Sequence, residues 1–172
     1  MRIIAGEWRG RRLAAVGKGD AGAHLRPTTD RVREALFNML AGGRFGDPFD
    51  GAQGLDLFAG TGALGLEALS RGAAHMTFVD DGRVAGKLIR DNIRTLGCGE
   101  RTKLIAHTAT RLPAADTPCG LIFLDPPYGK GLGGQALTSA RASGWIAPEA
   151  LVVWEEQSPQ EAPAGVDLLE TR

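Results

Sequence analysis

The 172-residue chain is 43% hydrophobic, 23% charged and formally neutral, the composition of one globular domain with a single core. It has no apolar run near the roughly 20 residues that span a bilayer, and its first residues are too charged for a secretory signal, so a cytoplasmic protein without membrane contact is expected. Cys98 and Cys119, with His24, His75 and His107, show neither disulfide nor metal-ligand spacing, which argues against a disulfide framework and a metal site.

Charge is unevenly spread. Residues 1–33 hold eight basic side chains (Arg2, Arg9, Arg11, Arg12, Lys18, Arg26, Arg31 and Arg33) against Glu7, Asp20 and Asp30, a net +5 that the remainder offsets with −5. After Trp145, six acids face one arginine. A basic segment on an acidic body is the electrostatic footprint of a polyanion ligand, and Arg2, Arg9, Arg11, Arg12, Arg26, Arg31 and Arg33 are its candidate contacts. Short alternation in Arg2-Ile3-Ile4-Ala5, then glycine-broken basic sequence, predicts a hairpin or arm over residues 1–26. Pro27 and Thr28 introduce a helix with the apolar stripe Val32, Ala35, Leu36, Met39 and Leu40, ended by Gly42-Gly43. The turn-rich Asp47-Pro48-Phe49-Asp50-Gly51 then divides a basic arm and helix, residues 1–45, from a larger unit, residues 46–172.

The larger unit alternates strand and helix. Leu55–Phe58, Met76–Asp80, Lys103–Ala106, Leu121–Asp125 and Ala150–Trp154 read as short apolar strands. Helices are expected from about Ala63 to Arg71, along the stripe Val84, Leu88, Ile89, Ile93 and Leu96, and near residues 132–142. Nearly continuous apolar strands alternating with helices mean a mostly parallel, doubly wound α/β sheet of Rossmann-like type with helices on both faces. Its ligand should lie beyond the carboxyl ends of the strands.

Gly60-Thr61-Gly62-Ala63-Leu64-Gly65 matches G-x-G-x-x-G between a strand and a helix, and Asp80 ends the next strand. Glycines let the backbone approach a ligand closely, and a carboxylate there can accept two ribose hydroxyls. A nicotinamide cofactor fits that pattern too. The acid at Asp56, in Asp56-Leu57-Phe58-Ala59-Gly60, would repel a pyrophosphate and suits a cofactor carrying positive charge, such as the amino group and sulfonium of S-adenosylmethionine. Asp56, Phe58, Ala59, Gly60, Gly62 and Asp80 are the candidate cofactor residues.

Asp125-Pro126-Pro127-Tyr128 follows the fourth strand, at the same sheet edge. An exocyclic nucleobase amine is a poor nucleophile because its lone pair is delocalised into the ring. The Asp125 carboxylate and the Pro126 carbonyl can each accept one of its N–H bonds and steer the lone pair outward. Pro127 restricts the backbone that carries this carbonyl. Tyr128 offers a ring on which the base can stack, once the base has left its own stack.

At these residues the chain resembles the class I methyltransferases that use S-adenosylmethionine and carry an Asn/Asp-Pro-Pro-Tyr/Phe signature. More narrowly it is similar to the bacterial 16S ribosomal RNA guanine-N2 methyltransferases, the RsmD family, through Arg2–Gly6 with Arg9–Leu13, Arg26–Asn38 and Leu55–Gly72. The resemblance implies methylation of one guanine of 16S rRNA within a small-subunit ribosomal particle. It also implies that the basic helix helps enclose the cofactor and present the guanine. Separately, a monomer is expected. The family often places Asp or Asn after the third strand to contact the adenine; here that stretch is Ala106-His107-Thr108-Ala109, with Thr108 as the substitute. The family sheet ends in an antiparallel hairpin, and Val166–Arg172 resembles its first strand, so an incomplete hairpin is expected. The same tetrapeptide also serves N6-adenine DNA methylation and protein glutamine methylation. A nucleic-acid-binding module that has lost catalysis and a nicotinamide oxidoreductase are the remaining alternatives.

Overall fold

The computed structural model describes residues 1–16 and 29–172; Arg26, Pro27 and Thr28 lie outside the described residues. Helix α1 (Asp30–Leu40) precedes a sheet of β1 (Gln53–Leu57), β2 (His75–Val79), β3 (Thr102–Ile105), β4 (Cys119–Leu124) and β5 (Ile146–Trp154). Helices α2 (Ala63–Ser70), α3 (Arg83–Leu96) and α4 (Leu132–Ala142) connect the strands. All neighbours pair in parallel, in the order β3-β2-β1-β4-β5. The chain runs outward from β1 to β3 and then returns to β4, so the order reverses beside β1, the position at which open α/β sheets bind their ligands. Ile105, Val79, Leu57, Leu124 and Trp154 are register partners across the sheet. All five strands therefore end level.

Alternation along each strand feeds two cores. Leu121 and Phe123 of β4 pack with Phe37, Leu66, Leu69 and Phe78 on one face, while Ile122 and Leu124 pack with Leu137, Ala140 and Trp145 on the other. Helix α2 is buried along its whole length, Glu67 included. Thr29 caps α1, its hydroxyl accepting the Val32 N–H at 3.2 Å. The buried face of α1 is Arg33, Phe37 and Leu40, whereas Val32, expected in the apolar stripe, is 51% exposed. The core-facing stripe is thus rotated around the helix from the expected one.

The arm forms a narrow hairpin: Ile3 donates to the Arg11 carbonyl at 2.9 Å, Gly10 to Ile3 at 2.8 Å, and Leu13 to Met1 at 2.9 Å. Ile3 and Leu13 join the same buried cluster as Leu66 and Phe78, so the segment before residue 45 shares its core with the sheet. Strand β5 begins earlier than expected. Cys119 pairs with Ile146 and Leu121 with Leu151, and the irregular stretch between carries Pro148 and a left-handed Glu149 (φ 59°). The expected strand at Val166–Arg172 is not formed. Arg44 instead binds Glu170 and the Leu169 carbonyl, and Leu168 and Leu169 stay exposed. The segment is held by a loop rather than by the edge of β5.

Candidate active site at the carboxyl edge of the sheet

Because the strand ends are level, the residues that follow them meet. Phe58 follows β1, Asp80 follows β2, Asp125 follows β4 and Glu155 follows β5. Phe58 is left-handed (φ 57°), a conformation that costs a bulky residue on the order of 1–3 kcal/mol and concentrates at functional sites. Ala59 then donates to the Val79 carbonyl at 3.0 Å, and Gly62 to Ala59 at 2.8 Å, closing the loop. Gly60 and Gly62 both have positive φ, 60° and 80°. The Asp80 carboxylate accepts the Gly60 N–H at 2.9 Å on one oxygen and the Gly82 N–H at 2.8 Å on the other. Each oxygen keeps a further acceptor position, the pair that a ribose diol needs. Burial pushes the Asp80 carboxyl up, against the two N–H bonds.

Asp56 lies beneath this loop with 1% exposure and accepts the Gly65 N–H at 3.0 Å. A Cβ on Gly65 would stand 2.5 Å from the Phe78 ring, so only glycine lets α2 sit this close to β2. Burial raises the Asp56 carboxyl well above the usual carboxylate range; the Gly65 N–H opposes it, and the neighbouring Asp125 and Asp80 charges raise it further. Three carboxylates thus converge, and Asp56 is the most deeply buried of them. Such a group gains from a cation placed nearby, and the residues present therefore fit a cofactor with a ribose and positive charge. Among the described residues no group of three His, Cys, Asp or Glu could hold a metal ion.

The tetrapeptide Asp125–Tyr128 borders the same edge. The Asp125 N–H reaches the Leu57 carbonyl at 3.4 Å, Pro126 is buried and Pro127 is exposed. The Tyr128 hydroxyl donates to Glu155 Oε1 at 3.0 Å, and Glu155 is itself fixed by its N–H on the Leu124 carbonyl at 2.9 Å. Glu156 accepts the Gly129 N–H at 3.3 Å. Glu155 and Glu156 were not among the sequence candidates, although an acid directly after the last strand was the available signal. Thr108 stands just past β3, its hydroxyl 2.9 Å from that of Thr110. A surface groove of about 740 Å³, lined by Thr110, Arg111, Gly134 and Gln135 among others, flanks α4, and none of Asp56, Asp80 or Asp125 lines it. The strand ends, not this groove, place the site.

The candidate RNA-contact arginines divide. Arg9, Arg12 and Arg31 are exposed. Arg2 and Arg11 are exposed too, with guanidinium groups that also donate to the Gly10 and Thr95 carbonyls at 3.0 and 2.7 Å. Arg33 does not belong with them. It is wholly buried, donates to the Arg2 carbonyl and to Asp30, and faces Glu67, so it braces the arm from inside.

A family model described as Conserved hypothetical protein 95 matches residues 1–172. Escherichia coli Ribosomal RNA small subunit methyltransferase D is 40% identical over 95% of this chain and 78% of its own length. The chain belongs to the RsmD family. The solved structure of Escherichia coli yhhF agrees, with a TM-score of 0.77 and 40% identity over 95% of this chain and 86% of that one. A solved hypothetical protein of Thermus thermophilus, at 30% identity, covers 96% of this chain and 91% of its own with a TM-score of 0.72. The parallel sheet is the Rossmann-like sheet of these RsmD-family relatives.

Proposed function

We propose that this RsmD-family chain transfers a methyl group from S-adenosylmethionine to the exocyclic N2 amine of a guanine in 16S rRNA, within a small-subunit ribosomal particle. One observation carries the reading: Asp80 and Asp125, directly past the register Val79–Leu57–Leu124, converge with Asp56, buried inside the end of β1. When bound, S-adenosylmethionine supplies an activated methyl group on a sulfonium. Asp80 accepts the ribose hydroxyls, the Gly60–Gly62 turn gives close backbone approach, and Asp56 offsets positive charge. Phe58, Ala59 and Thr108 complete the walls.

The acceptor amine is held by the tetrapeptide. The Asp125 carboxylate and the Pro126 carbonyl each accept one N–H and turn the lone pair outward, while Pro127 limits the rotation of Pro126. Tyr128, tethered through Glu155, stacks on the guanine, a contact worth roughly 1–3 kcal/mol. Alignment is the main work of these residues. Residues 1–45 serve the larger unit as its RNA arm, with Arg2, Arg9, Arg11, Arg12, Arg26 and Arg31 on phosphates, and a single copy of the chain is sufficient. The name of the Escherichia coli relative supports a small-subunit RNA target.

The test is direct. Undermethylated small ribosomal subunits are incubated with the chain and labelled S-adenosylmethionine, and the label is mapped by nuclease digestion and mass spectrometry. A single N2-methylguanine in 16S rRNA is expected. Label on adenine, on protein or nowhere would overturn the reading.

A further inference from the structure

Helix α3 carries a charge pattern that the site does not use. Arg83, Lys87, Arg90 and Arg94 recur at i, i+4, i+7 and i+11, which gathers them into one narrow stripe. All four are exposed, while Ala85, Gly86, Ile89, Asn92 and Leu96 form the buried face. One carboxylate, Asp91, serves two of them, at 3.5 Å from Lys87 and 3.4 Å from Arg94. Among the described residues no carboxylate forms a salt bridge with Arg83 or Arg90. Helix stability explains Arg94, a cation in the last turn, but not Arg83, which stands in a first turn without an acid and opposes the helix dipole. Residues that break such a local rule concentrate where function requires them.

The stripe also has a place. It begins at Arg83, immediately after Gly82, whose N–H holds Asp80 at the cofactor edge. It runs about 16 Å along the helix axis towards the arm. There Arg11 donates to the Thr95 carbonyl at 2.7 Å, and Asn92 exchanges hydrogen bonds with both backbone groups of Ala14 at 2.6 and 3.2 Å. The arm's Arg11 thus meets the last turn of α3, next to Arg94 at the far end of the stripe. The acids Glu149, Glu155, Glu156 and Glu161 cluster on and after β5, at the opposite edge of the sheet from β3, against which α3 packs. The molecule is polarised across the sheet.

We infer that α3 is a second RNA track: Arg83, Lys87, Arg90 and Arg94 bind backbone phosphates of the substrate RNA beside the target nucleotide. Guanidinium and phosphate form charge-assisted, often paired hydrogen bonds, and a row of four along one helix face tracks a strand rather than a single anion. Asp91 tempers this track. The inference rests on the RNA-methylation reading of the site.

The test measures binding of the full chain to undermethylated small ribosomal subunits, between about 50 and 200 mM salt. The variants are the double substitution Arg83→Gln with Arg90→Gln, and the single substitution Asp91→Asn. Each lost phosphate contact lowers the log–log salt slope by about 0.7–0.9. The double variant is therefore expected to lose about 1.5 from the slope, to raise KM for RNA, and to keep S-adenosylmethionine affinity, kcat and thermal melting unchanged. Asp91→Asn is expected to move affinity the other way, tightening binding. Slopes and affinities equal to wild type in both variants would overturn the track while leaving the enzyme reading intact. A wild-type chain that neither binds nor methylates these subunits overturns the site reading, and the track with it.

Discussion

The carboxylate of Glu67 lies 3.7 Å from the guanidinium of Arg33, and solvent reaches neither side chain. Glu67 also accepts the N–H groups of Ile4 at 2.8 Å and Ala5 at 3.1 Å, and Arg71 Nε at 2.9 Å. One buried carboxylate thus joins the arm, α1 and the helix that opens at the glycine loop.

Removing one partner of a buried pair leaves the other charged in a low-dielectric interior, at a cost of about 3–5 kcal/mol. Glu67→Gln is expected to destabilise the chain by that order, read from urea unfolding. A change within measurement error would show that Arg33 finds other partners.

Gly6 is constrained twice. Its φ is +87°, and a Cβ there would stand 1.9 Å from the Ser70 carbonyl oxygen, a backbone atom that cannot swing aside. Gly6→Ala is expected to pull the arm off α2 and break the Glu7 N–H bond to Ser70 at 2.8 Å. Gly10 has a similar φ of +82° with nothing within 4 Å, so Gly10→Ala should cost only the left-handed penalty of about 1–2 kcal/mol. Gly6→Ala should cost more and should raise KM for RNA. Equal melting temperatures for the two variants would deny the packing role.

Asp56 makes stability depend on pH. Its folded pKa stands above the unfolded value, chiefly through burial, so the folded state binds its proton more tightly. The contribution is full below the unfolded pKa and is lost as pH rises through the folded one. Asp56→Asn, which has no charge to bury, should be more stable than wild type at neutral pH and lose this part of the pH dependence. The variant should also bind S-adenosylmethionine more weakly, and wild-type affinity should rise with pH as Asp56 ionises. Thermal melts across pH that superimpose for the two proteins would refute the assignment.

Asp125 is proposed to hold the amine, not the cofactor. Asp125→Ala is expected to reduce methyl transfer by about 100-fold or more, the scale of losing one positioned acceptor. Cofactor affinity measured by calorimetry should stay close to wild type. Lost affinity would move Asp125 into the cofactor site.

Local patterns were legible in the sequence. The apolar strands, the glycine loop and the Asp125–Tyr128 tetrapeptide are each written in consecutive residues, and the parallel order follows from their alternation with helices. What was not legible depends on distant partners. Arg33 shares the spacing of Phe37 and Leu40, three and four residues apart, yet its burial needs Glu67 on another helix. Without that partner an arginine reads as surface. Pro148 hid the beginning of β5, because a proline within a run argues against a strand. Val166–Arg172 has strand-like composition, but its contacts are with Arg44, and composition does not choose a neighbour.

The bonds that seat the arm also bear on how the chain folds as it is made. Ile4 and Ala5 leave the ribosome well before Glu67, which binds them and follows 63 and 62 positions later. Asn92, the anchor of Ala14, is 78 positions behind it. The arm therefore waits, undocked, until α2 and α3 have emerged, and contacts closed over such distances slow folding. The arm is made before its partners and fastened after them.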